Sequence, residues 1–229
     1  MSELRKSLKK WLGSWAGTQS GLPSGHLPAA TSSIQRHIGS DKFLIPHGTD
    51  WFWRPEMWRS ALSEPRPKSV QNGAKLGSEV KLFHDCRLAE ISLGQVPSGE
   101  IADAAPYGLS LEVSGFDGSF LSLVLDLPEE ALQGLQKRHL IRLDAMIDLE
   151  KPLPLFARLN IKHGPNVVQV IRELTLKPTE MTVEFDLGYS DLNEKRLERA
   201  WIDLIFKEPQ NNNVMMRDMI LCRFPRAEV

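Results

Sequence analysis

The sequence predicts a mainly-β fold, an antiparallel sandwich or barrel, and three observations predict it. From Ser78 onward, apolar and polar residues alternate in short runs, turn-forming residues separate the runs, and no regular succession of strand and long helix appears. The runs are 79–83, 88–93, 109–113, 120–127, 140–149, 155–161, 167–176, 181–187, 201–206 and 214–223. About ten strands at this spacing suit two packed sheets. Gly115-Phe116-Asp117-Gly118, His163-Gly164-Pro165-Asn166 and Pro209-Gln210-Asn211-Asn212-Asn213 read as hairpin loops, and 128–137 (PEEALQGLQK) and 192–199 (LNEKRLER) as helical interruptions.

A strand sends successive side chains to opposite faces, so the alternation assigns a core. Ile141, Leu143, Ala145, Ile147 and Leu149 point one way, and Arg142, Asp144, Met146, Asp148 and Glu150 the other. Leu155, Ala157, Leu159 and Ile161 face inward, leaving Phe156, Arg158, Asn160 and Lys162 outside. Ile202, Leu204 and Phe206 face inward, with Trp201, Asp203 and Ile205 outward. Around Arg217 and Asp218 the phase cannot be assigned.

The front of the chain follows other rules. Leu4, Leu8, Trp11, Leu12 and Trp15 recur on one side of a helix, with Arg5, Lys6, Lys9 and Lys10 on the other. Ser2 can cap it, and Glu3 suits its first turn. The domain reading is therefore a basic amphipathic helix at 1–15, a flexible linker at 16–49 rich in Gly, Ser, Thr, Pro and Ala, and a β-sandwich domain at 50–229.

The totals exclude several classes. Lys plus Arg is 28 against Asp plus Glu at 29, a net charge of −1, so nothing in the balance argues for nucleic acid. No run approaches the ~18 apolar residues of a membrane-spanning helix, and no secretory signal is apparent. Cys86 and Cys222 are read as reduced thiols of a cytoplasmic protein. No G-x-S-x-G, G-x-G-x-x-G or G-x-x-x-x-G-K-[ST] occurs, so no catalytic motif and no cofactor is expected. His84-Asp85-Cys86, with Cys222 and His163 as distant completers, lacks the ligand spacing of a zinc site, and no metal is expected. The carboxylates Asp126, Asp144, Asp148, Asp186, Asp203 and Asp218 leave open a hydrolase using two of them.

Three constellations remain. The outward set Trp201, Asp203, Arg142, Asp144, Phe156, Arg158 and Asn160 mixes flat rings with directional polar groups, as a saccharide-binding face needs. The alternative is an ordinary solvated sheet face. Trp51, Trp53 and Trp58 in WFWRPEMW form either an aromatic platform for a sugar or protein partner, or an edge strand sealing the sandwich. The front helix (Arg5, Lys6, Lys9, Lys10, Trp11, Trp15) suits an anionic membrane surface, a partner, or its own domain.

The stretches WFWRPEMW, RHLIRLDAMIDLEKPLPLFARLNIKHGPN, VEFDLGYSDLNEKR and AWIDLIFKEP through FPRAEV resemble an uncharacterised family of alphaproteobacterial proteins, over residues 50–229. That resemblance implies no activity. More loosely, the closing strands are similar to the final hairpin of jelly-roll carbohydrate-binding modules, though without an Asp-rich calcium loop. The expectation is a jelly-roll β-sandwich acting as a non-catalytic binding module for a saccharide or glycoconjugate, peripheral to the inner membrane surface. A protein–protein adaptor using an exposed Trp cluster and an unrecognised hydrolase are the alternatives.

Overall fold

The computed structural model describes residues 43–63, 68–87, 90–98, 105–175 and 180–227. The helix expected at 1–15, with Arg5, Lys6, Lys9, Lys10, Trp11 and Trp15, lies outside the described residues, as does the linker up to residue 42. Among the described residues, no helix is long and apolar enough to cross a membrane.

The strands are β1 (Trp51–Trp53), β2 (Lys68–Ser69), β3 (Ala74–Leu76), β4 (Val80–His84), β5 (Glu90–Pro97), β6 (Tyr107–Gly115) and β7 (Leu121–Asp126), then β8 (His139–Leu149), β9 (Leu155–His163), β10 (Asn166–Leu174), β11 (Glu180–Asp186), β12 (Leu197–Phe206) and β13 (Asn212–Pro225). One short helix, α1 (Glu56–Arg59), follows β1. Each of the expected runs is a strand, with ends shifted by a few residues; β2 and β3 are additional, and β1 is the edge strand that was one reading of WFWRPEMW.

The strands form two antiparallel sheets. The first has the order β11-β8-β13-β6-β5-β2, with β1 beside the end of β13; the second has the order β10-β9-β12-β7-β4-β3. The chain passes between sheets after β2, β4, β6, β7, β8, β10, β11 and β12, which is a jelly-roll sandwich. Alternation put the apolar residues inside. Ile141, Leu143, Ala145 and Ile147 of β8 join Leu155, Ala157, Leu159 and Ile161 of β9 and Ile202, Leu204 and Phe206 of β12 in one core, none more than 1% exposed. Burying a large aliphatic side chain this completely contributes about 1.5–3 kcal/mol. A one-residue slip of register would turn that whole set out to solvent, which is why the pattern fixes the pairing.

Several expectations are corrected. Only His163–Asn166 closes a hairpin between paired strands, β9 and β10, through Gly164 at φ 59°. The other two loops cross between sheets, from β6 to β7 and from β12 to β13. The helical interruptions shrink to single 3-10 turns, Glu129–Ala131 and Glu194–Arg196. Gly134 at φ 73° breaks the first. In the second, pairing with β9 draws Leu197 to Arg199 into β12. An isolated helix of so few residues costs more to nucleate than it gains.

The phase ambiguity at Arg217 has a structural cause. Met216 pairs with Ile147 and Asp218 with Met146, so Arg217 is the extra residue of a β-bulge that flips the face of everything after it. Part of the expected linker also packs. Phe43, 9% exposed, lies with Met146, Ile220 and half-buried Phe52 on the outer face of the first sheet.

Candidate functional site

The register of the second sheet aligns its outward side chains in rows across the strands. One row reads Ile171, Arg158, Asp203, Val124, Lys81, Lys75 from β10 to β3. The next reads Gln169, Asn160, Trp201, Asp126, and on the opposite side comes Phe156, Ile205, Ser122, Phe83. Five of the seven outward residues expected to bind ligand (Trp201, Asp203, Phe156, Arg158 and Asn160) thus share one face on the adjacent strands β9 and β12.

At its centre three polar side chains hold one another. Arg158 Nε donates to Asp203 Oδ2 at 2.6 Å and its Nη2 lies 2.5 Å from the same oxygen. Asn160 Nδ2 donates to Asp203 Oδ2 at 3.0 Å, and Gln169 Nε2 donates to Asn160 Oδ1 at 3.0 Å. Arg158, Asn160 and Asp203 are 5%, 0% and 1% exposed, so this network is fixed rather than solvated. Burial pushes the Asp203 carboxyl above its usual range, against the opposing charge and hydrogen bonds of Arg158. Arg158 Nη1 and, in the neighbouring row, Ser122 Oγ are buried without a hydrogen-bond partner. Around this floor stand half-buried Trp201 and Phe156 and exposed Gln169. The Arg199 guanidinium lies 5.0 Å from the Trp201 ring centroid.

Arg142 and Asp144 do not belong to this face. They lie on β8 in the first sheet, facing away from the core on the opposite side of the sandwich. Asp144 there accepts from Arg142 Nε at 2.9 Å and Thr182 Oγ1 at 2.5 Å. Alternation assigns in or out but not which sheet, so the seven residues divide between two faces. Gln169, Ser122 and Phe83 were missed, because only strand order brings them beside β9 and β12.

The tryptophans are structural. Trp58 is 0% exposed and donates its indole N–H to the Met216 carbonyl at 3.1 Å; Trp53 is 9% exposed, and Trp51 stacks on Trp53 with centroids 6.4 Å apart. Of the two readings of WFWRPEMW, the burial fits the edge strand and not an exposed aromatic platform: β1 seals the flank of β13, and α1 drops Trp58 into the core. The six carboxylates considered for hydrolysis each have a cation. Asp126 meets Lys81 and Arg199, Asp144 Arg142, Asp148 Arg217, Asp186 Arg226, Asp203 Arg158 and Asp218 Arg54.

His84, Asp85 and Cys86 separate functionally. His84 is buried, and Asp85 accepts from the Ser119 N–H at 2.7 Å and the Phe120 N–H at 3.1 Å. Cys86 Sγ donates to Asp117 Oδ1 at 2.8 Å, and a side chain at Gly118 would collide with Asp85 Oδ1. Cys222 lies buried on the outer face of the first sheet, opposite Arg142 in register. Among the described residues, no three His, Cys, Asp or Glu gather to hold a metal ion.

Residues 26–229 match DUF6478, described as a family of unknown function. No curated protein matches the sequence. Among solved structures the chain is similar to a family 11 carbohydrate-binding module from Clostridium thermocellum in complex with a β-1,3-1,4-mixed-linked tetrasaccharide, at 16% identity and a TM-score of 0.43, covering 74% of this chain and 100% of that one. It is also similar to the CBM22-1 xylan-binding domain of Paenibacillus barcinonensis Xyn10C, at 9% identity and a TM-score of 0.39, covering 73% of this chain and 100% of that one.

Proposed function

We propose that this chain, which belongs to the DUF6478 family of unknown function, is a non-catalytic binding module that takes a saccharide on the outer face of its second sheet. The observation that carries the reading is the pair of half-buried rings Trp201 and Phe156, set on either side of the fixed network of Arg158, Asn160 and Asp203. They offer flat apolar surface to the C–H faces of a pyranose ring, and the amide of exposed Gln169 beside them can meet its hydroxyls. Because Arg158, Asn160 and Asp203 are locked before a ligand arrives, little ordering entropy opposes binding.

The test is titration of soluble oligosaccharides, chosen from a glycan array, into the full chain. Trp201→Ala, which removes a half-buried ring without orphaning a charge, should weaken binding about tenfold or more, or roughly 1.4 kcal/mol, with an unchanged melting curve. An array without signal above background, or a Trp201→Ala variant that binds as tightly as the wild type, overturns the reading. We include in the same proposal a cytoplasmic location and peripheral attachment through residues 2–15, supported by the cations and tryptophans of that segment.

A further inference from the structure

Strand β10 ends the second sheet, and among the described residues it pairs with β9 alone. The connection between them is the two-residue turn Gly164-Pro165, so His163 and Asn166 close it as a hydrogen-bonded pair and every second residue from Asn166 bonds to β9. The N–H and C=O groups of Val167, Gln169, Ile171 and Glu173 therefore point away from the sheet. Within this edge the run Val167-Val168-Gln169-Val170-Ile171 contains no charge, proline or glycine. Val167 is 37% exposed, Gln169 is exposed, and Val168, Val170 and Ile171 are half-buried. An uncharged β-branched edge of this kind is a template for another strand, which proteins otherwise block with charge, proline or a bulge. The adjacent cation, Arg172, lies along the end of this edge toward β11: its Nε donates to the Glu184 carbonyl of β11 at 3.0 Å and its Nη1 to the Ile171 carbonyl at 2.9 Å. A carbonyl has two lone pairs, so Ile171 retains an acceptor for a partner.

We propose that β10 is a dimerisation edge, pairing antiparallel with β10 of a second copy of this chain about a twofold axis through Gln169. The sequence of the edge selects that occupant. The run reads nearly the same in both directions from Gln169, so self-pairing sets Val167 opposite Ile171, Val168 opposite Val170 and Gln169 opposite itself. Directly opposed β-branched side chains are favourable pairs. In the same register Arg172 faces Asn166 and Glu173 faces Pro165, so no like charges meet. A closed twofold dimer, in which the same patch of both copies meets, is the commonest symmetric assembly. Resting on the saccharide reading above, the pairing also joins the two binding faces. The row Trp201, Asn160, Gln169 continues into the same three residues of the second copy, spanning roughly 24 Å at the usual strand spacing.

Light scattering on the full chain during size exclusion tests this. The expected mass is twice the 25.8 kDa of one chain. Gln169→Glu and Gln169→Lys each bring a charge face to face with itself at the axis, and each variant should run at the single-chain mass with an unchanged circular dichroism spectrum. Mixing the two in equal amounts should restore the doubled mass, since opposite charges then meet. A wild type at the single-chain mass, both variants retaining the doubled mass, or a folded mixture that stays single overturns the proposal. The readout is mass, so a negative glycan array leaves this result standing.

Discussion

Arg158 and Asp203 form a pair whose members cannot be removed one at a time. Both are at least 95% buried, so Arg158→Ala leaves a carboxylate in the sheet face without its cation, a loss of about 3–5 kcal/mol. The double change Arg158→Met with Asp203→Leu removes both charges and should stay within roughly 1–2 kcal/mol of the wild type, or exceed it. Urea denaturation of the three proteins checks this; equal losses in the single and double variants would mean that packing, not charge, dominates. Buried histidines supply a second test. Burial holds His84 below its ordinary value, and it does the same to His139 although Asp50 opposes it. Both therefore bind protons more readily unfolded. Their contribution to stability is complete above the unfolded value near pH 6.5 and is lost as pH falls through the lower folded values, by at most about 1.4 kcal/mol per pH unit for each proton. His84→Gln should flatten the fall between pH 6.5 and 5, read from denaturation midpoints at each pH. An unchanged slope would remove His84 from the account. The outward polarity of Arg158, Asn160 and Asp203 was legible in the sequence, because it needs only a period of two. Their burial was not, since it depends on which strands lie alongside.

The strands from β4 to β13 were legible for the same reason, while β2 and β3 were not, and β1 was one of two readings left open. The segment WFWRPEMW has neither a strand's alternation nor a helix's stripe over a useful length, and its tryptophans fit a binding platform as well as a seal. Pairing decides between them: Trp51, Phe52 and Trp53 lie opposite Arg223, Cys222 and Leu221, and the turn through Pro55 carries Trp58 inward. Trp58→Ala removes a wholly buried ring and its hydrogen bond to Met216, and should cost about 3–5 kcal/mol. A loss under ~1 kcal/mol by thermal or denaturant unfolding would return the cluster to the surface. The three loops expected to be hairpins show a related limit. Gly, Pro, Asn and Asp announce that the chain turns, but not whether the next strand joins the same sheet or the facing one. His163 to Asn166 and Gly115 to Gly118 look alike as turn sequences and have opposite outcomes.

On the scale of the whole molecule, the sandwich followed from alternation and spacing, whereas strand order, and with it the union of β9, β10 and β12 in one face, came only from three-dimensional pairing. The seven residues expected to form one ligand site divide between two faces for that reason. The attachment proposed for residues 2–15 rests on sequence chemistry alone and is open to direct measurement. Leu4, Leu8, Trp11, Leu12 and Trp15 would enter the interfacial layer while Arg5, Lys6, Lys9 and Lys10 face anionic headgroups. Each cation near such a surface contributes about 1 kcal/mol, so the four together give roughly 4 kcal/mol before apolar burial is added. Binding should therefore be reversible, weak on neutral vesicles, and reduced by salt as the screening length shortens. Replacing Lys6, Lys9 and Lys10 with Glu should abolish it, and Trp11→Ala should weaken it while keeping the charge. Co-sedimentation with anionic and neutral vesicles, comparing the full chain with a chain starting at residue 16, separates the cases. If the shortened chain sediments as well as the full one, residues 2–15 are not the anchor, and the surface that binds must be sought on the sandwich itself.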